Sequence, residues 1–83
     1  AEELYRRALT GSEDQLGAVH PQTLQSVYNL AHLLEDKGSF AEAGQLYLQH
    51  LRGMEELHGP DSEEVRASRN NLERFQRVHG PVA

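Results

Sequence analysis

The 83-residue sequence predicts an all-α chain of four antiparallel helices joined as helical hairpins, and three features carry that prediction. The chain repeats itself at a shift of 42 residues. Glycines recur at half that interval. Between the glycines, apolar residues recur at helical spacing, and no alternating strand pattern competes with them.

The repeat is visible residue by residue. A shift of 42 lays Leu4 on Leu46, Tyr5 on Tyr47, Leu9 on Leu51, Gly11 on Gly53 and Glu13 on Glu55. Further along it lays Gly17 on Gly59, Ser26 on Ser68, Asn29 on Asn71, Leu30 on Leu72 and Gly38 on Gly80. Gly17, Gly38, Gly59 and Gly80 therefore stand 21 residues apart. A glycine just past a helix adopts the left-handed backbone that closes the last turn, so the spacing predicts four helices of similar length, each stopped in the same way.

The first helix spans about residues 1–16 and closes in a unit of 1–17. Its apolar residues Leu4, Tyr5, Ala8 and Leu9 share a face with no earlier helix to cover it. The stretch LGAVHPQT (16–23) is a linker: Pro21 reads as an early residue of the second helix, where its missing N–H costs nothing, with His20 or a neighbour as the cap. A complete hairpin then spans 21–58. Val27, Leu30, Ala31 and Leu34 form the core stripe of its first helix, and Phe40, Ala43, Tyr47, Leu51 and Met54 that of its second. HGPDSEEV (58–65) is the second copy of the linker. Ser62 caps the last helix, 62–79, and Glu63 and Glu64 face the positive end of its dipole. Val65, Leu72 and Phe75 give that helix one apolar stripe, while Arg69, Glu73 and Gln76 stand where the earlier copy has Val27, Ala31 and Leu34. One side buried and one side wetted is the pattern of a C-terminal capping helix.

Composition removes several function classes. The net charge is -5, and the eight lysines and arginines are scattered, so the basic footprint that a phosphate backbone requires is missing and nucleic acid is not an expected partner. No cysteine is present, which rules out a disulfide framework and thiolate metal sites. No apolar run approaches the roughly 20 residues of a membrane span, so direct membrane insertion is not expected. AEELYRRAL is acidic and amphipathic, unlike a targeting segment.

The string SVYNLAHLLEDKGSFAEAGQLYLQHL resembles a tetratricopeptide repeat, and the 42-residue period with its LGAVHPQT linker resembles the longer variant of kinesin light chains. Leu30, Ala31, Leu34, Gly38, Phe40, Ala43 and Tyr47 occupy the family's signature places. The resemblance implies an α-solenoid fragment, with 1–17 as the second helix of an incomplete repeat and an array that ends at the last helix. It also implies that the first helix of each hairpin lines a concave face, which puts Gln25, Tyr28, His32, Glu35 and Asp36 in a groove with Asn70, Arg74 and Arg77 from the next copy. Such a mixture of aromatic, amide, imidazole and charged groups suits a peptide backbone and its charges. A protein or peptide partner in that groove is the leading expectation. A spacer held permanently in a larger complex is the alternative, and self-association through the uncovered first helix belongs with it.

Catalysis and cofactors are not expected. The histidines at 20, 32, 50, 58 and 79 form no metalloprotease-type pair, Glu55 with His58 is half of a carboxylate-bridged metal site, and all five read as linker or surface residues. Ser12, Ser26, Ser39, Ser62 and Ser68 have neither a nucleophile elbow nor an evident base. Asn29 and Asn71 repeat beside core leucines and read as structural.

Overall fold

The computed structural model describes residues 2–81, which form four α-helices: α1 Glu2–Leu16, α2 Pro21–Lys37, α3 Phe40–His58 and α4 Glu63–His79. No strand occurs among the described residues, and none of their helices is long and apolar enough to cross a membrane.

The helix ends are set locally. His20 caps α2 by accepting the Gln22 N–H at its Nδ1, 3.1 Å away, and Pro21 follows as the first helical residue. Ser62 caps α4 through its hydroxyl, which accepts the Val65 N–H at 3.2 Å. All four evenly spaced glycines have positive φ, between 87° and 96°. They do not all stop the chain in the same way. Gly38 has ψ 8°, and the bonds Gly38 N–H to Glu35 O and Ser39 N–H to Leu34 O close α2 in the paired pattern of a left-handed cap. Gly59 and Gly80 combine positive φ with ψ of 157° and 174°, a region that essentially only glycine enters, and this turns the chain out of the helix at once.

Each helix packs on its neighbour in the chain, α1 on α2, α2 on α3 and α3 on α4, and no other pair of described helices comes into backbone contact. The resulting slab measures 34 × 33 × 18 Å, about two helix diameters thick. Its core consists of Val27, Leu30, Ala31 and Leu34 of α2, Ala43, Leu46 and Tyr47 of α3, and Leu72 and Phe75 of α4. Leu9, Tyr28, Leu48 and Leu51 pack against it half-buried. α1 contributes no buried residue: Leu4 and Tyr5 are exposed, and only Leu9 reaches the core.

Three positions depart from the stripe read in the sequence. Phe40 is 41% exposed, because it opens α3 at the edge of the slab and its ring stacks on His79, with centroids 4.0 Å apart, instead of entering the core. Met54 is half-buried, and Leu24, absent from the stripe, is fully buried. Leu24 lies against Gly53 so closely that a Cβ there would overlap its side chain, whereas Gly11, the same position one repeat earlier, has open space. The glycine at 53 is thus a packing requirement of the α2–α3 interface.

Candidate functional site

The residues expected to line a groove lie on α2 and α4, and the fold treats them differently. Tyr28, half-buried, forms a ridge between two depressions. One, of about 370 Å³, lies between α1 and α2 and is lined by Tyr5, Tyr28, Asn29, His32 and Asp36. The other, of about 260 Å³, is bounded by Gln25 and Tyr28 of α2 and Ala67 and Asn71 of α4, with His50 and Met54 of α3 behind them. Gln25, Tyr28 and His32 therefore line concave surface. Asn70 and Arg77 are exposed on α4 but line neither depression, and it is Asn71, half-buried, that reaches the second one. Its repeat partner Asn29 accepts a hydrogen bond from Gln25 Nε2 at 3.1 Å.

Glu35 and Arg74 are brought together, in a joint that links three helices. Arg74 Nη2 and Nη1 lie 3.1 and 3.2 Å from the two Glu35 carboxylate oxygens, a bidentate pair. Tyr47 donates its hydroxyl hydrogen to the same carboxylate at 2.8 Å, and His79 Nε2 lies 2.9 Å from it. The Glu35 side chain is only 11% exposed. The Arg74 guanidinium, aided by the Tyr47 and His79 bonds, outweighs the cost of burial and holds the Glu35 carboxyl down at about 2. Burial and the neighbouring Glu35 push the Tyr47 hydroxyl up. A carboxylate with four hydrogen bonds has its acceptor sites filled, so Glu35 organises this surface from below and presents little to a ligand.

A second polar joint was hidden from the sequence reading. His50, expected at the surface, is buried at 8% exposure because it lies on the α3 face that meets α4. Its Nδ1 is 2.7 Å from Ser68 Oγ. Ser68 therefore does have an imidazole beside it, contrary to the expectation of no evident base. Ser68 is itself 2% exposed between α3 and α4, so its hydroxyl is out of reach of a substrate carbonyl unless the helices separate. Burial lowers the His50 pKa and holds the ring neutral. The available signal was position: His50 continues the spacing Ala43, Tyr47, Met54 on one helix face. Glu35 gave no comparable signal, since Arg74 and His79 are 39 and 44 residues away in the chain.

Other ion pairs link α1 to α2 and α3. Arg6 bonds both Glu2, at 2.8 Å, and Glu42, at 2.7 Å, and Lys37 reaches Glu2 at 2.8 Å. These bonds join α1, α2 and α3 through side chains that water reaches, so each contributes little to stability. Compared with known proteins, the sequence matches no family model, and no curated protein shows significant similarity to it.

Proposed function

We propose that the chain is a tetratricopeptide-type helical-repeat module, an α-solenoid fragment that binds an extended peptide segment of another protein along the surface formed by α2 and α4. The reading rests on one observation above the rest: Tyr28 stands as a half-buried aromatic ridge between two depressions, with amides on either side. A peptide laid across it would place side chains in the depressions. Its backbone would meet the amides of Gln25, Asn29 and Asn71, which line those depressions. Glu35 and Arg74 set the spacing of α2 and α4 through their mutual pair, so they act on such a groove mainly by shaping it. No catalytic role and no cofactor enter this reading.

The test uses a partner captured with the protein from its native source. Asn71→Ala should weaken binding by about 1 kcal/mol, the scale of a lost hydrogen bond. Arg74→Ala should cost about twice that, by breaking its pair with Glu35 and so loosening the spacing of α2 and α4. Neither variant should unfold the chain. The spacer reading draws its support from α1, where Leu4 is 66% and Tyr5 40% exposed. Normal binding by both groove variants, together with loss of association in Leu4→Glu, would replace the groove by that reading.

A further inference from the structure

His50 and Ser68 both line the depression between α2 and α4, and their mutual bond fixes where the imidazole keeps its hydrogen. Ser68 Oγ has one hydrogen-bond partner among the described residues, His50 Nδ1 at 2.7 Å. Were Nδ1 the donor, the Ser68 O–H would be left buried with nothing to receive it, at 2% exposure of the residue. Ser68 therefore donates and Nδ1 accepts. A neutral ring whose Nδ1 accepts carries its hydrogen on Nε2. Nε2 has no partner among the described residues, yet the side-chain polar atom there that is both fully buried and unpartnered is Thr23 Oγ1. The Nε2–H of a ring that is 8% exposed thus keeps an opening to water, and the surface that His50 lines is this depression.

We propose that His50 is a binding residue, its Nε2–H donating to a main-chain carbonyl of a peptide segment held between α2 and α4. The inference rests on the peptide-binding reading above and names the donor that fixes the segment in the second depression. The ring is held in place before a ligand arrives, by Ser68 on one side and by Tyr28, whose ring centroid lies 5.5 Å away. A donor already oriented loses little freedom on binding, and its bond is stronger for being shielded from water. The lining selects an uncharged acceptor. Glu64 is the one charged side chain among the lining residues and disfavours an anionic oxygen, while Tyr28, Met54 and Ala67 suit a neutral group. The amides of Gln25 and Asn71 stand in the same depression to meet the adjoining peptide units. The counterpart of His50 one repeat earlier is Ala8, so the repeat supplies this donor once.

Nitrogen NMR on the 83-residue chain tests the donor directly. Long-range proton–nitrogen correlations at neutral pH should show His50 as the neutral form with its hydrogen on Nε2; a hydrogen on Nδ1 would overturn the proposal without any ligand. The probe for binding is N-acetylalanine N-methylamide, which offers peptide carbonyls and no charge. Its titration should shift His50 Nε2 and the side-chain amides of Gln25 and Asn71 together and saturably. Sodium acetate at equal concentration should shift Nε2 less, and a larger shift would replace the carbonyl by a carboxylate. His50→Asn, which can set its carbonyl oxygen where Nδ1 meets Ser68 but lacks the second nitrogen, should bind the probe about fivefold more weakly. His50→Gln, whose amide reaches the place of Nε2, should stay within about twofold of the parent. A His50→Asn chain that binds like the parent would overturn the proposal, and circular dichroism of each variant separates loss of contact from loss of fold. Saturable shifts at Gln25 and Asn71 without one at His50 would overturn this inference and leave the peptide groove standing. No saturable shift at any of the three would overturn it as well, with the groove then judged by the captured partner and the Asn71→Ala and Arg74→Ala variants.

Discussion

Thr23 carries a hydroxyl into a fully buried position where Oγ1 finds no hydrogen-bond partner. A buried polar atom left unpaired costs about 1 to 3 kcal/mol, more than the methyl group of Thr contributes by packing. The repeat offers its own answer at this position, since the counterpart 42 residues later is Val65, also fully buried. Thr23→Val keeps the branched shape and removes the oxygen. It should stabilise the chain by about 1 kcal/mol or more, read as a rise in melting temperature. A variant that melts at or below the parent would mean that the hydroxyl is satisfied after all. His50 shows the other solution for a polar group in the core, a buried ring whose Nδ1 is matched to Ser68. That pair occurs once, because the counterpart of His50 in α1 is Ala8, while Ser26 turns back to donate to Gln22 O at 3.3 Å.

Between elements, the Glu35 and His50 joints tie the helices together, and both make the assembly sensitive to acid. His50 is held neutral by burial, its pKa lowered from 6.5, so the unfolded chain binds its proton more readily than the folded one. Its contribution to stability is complete above about 6.5 and declines as the pH falls below that value. Glu35 is depressed from 4.5 to about 2, so its contribution is complete above about 4.5 and is lost as the pH falls towards 2. Glu2 and Glu42 are also lowered, by Lys37 and Arg6 respectively, and add to this second stage from exposed positions. Melting temperature should therefore fall in two steps on acidification. His50→Gln should flatten the upper step, and Glu35→Gln should shrink the lower one without abolishing it. A melting temperature unchanged between pH 7 and pH 3 would contradict both joints.

Over the whole molecule, stability is unevenly spread because each helix meets only its chain neighbours. α2 lies between two helices and buries six residues; α1 has one neighbour and buries none. Local opening costs little where few apolar contacts are lost. Backbone amides of α1 should therefore exchange fastest and those of α2 and α3 slowest. Protection in α1 equal to that in α2 would show that the four helices open as one unit.

The four helices, their order and their ends were determined by the sequence, because the causes are local. Capping bonds span two or three residues, as His20 and Ser62 illustrate, and a glycine's positive φ is a property of its own backbone. The apolar stripe likewise placed Val27, Leu30, Leu34, Tyr47 and Phe75 correctly in the core. Gln25, Tyr28 and His32 share one face of a single helix, and the depressions beside Tyr28 are lined by them. Tertiary structure alone decided that Glu35 is consumed by Arg74, Tyr47 and His79, that His50 is buried against Ser68, and that Phe40 stays at the edge against His79. Those outcomes depend on where one helix crosses another. A shift of one turn between helices changes every such partner while leaving each helix's periodicity and caps as they were.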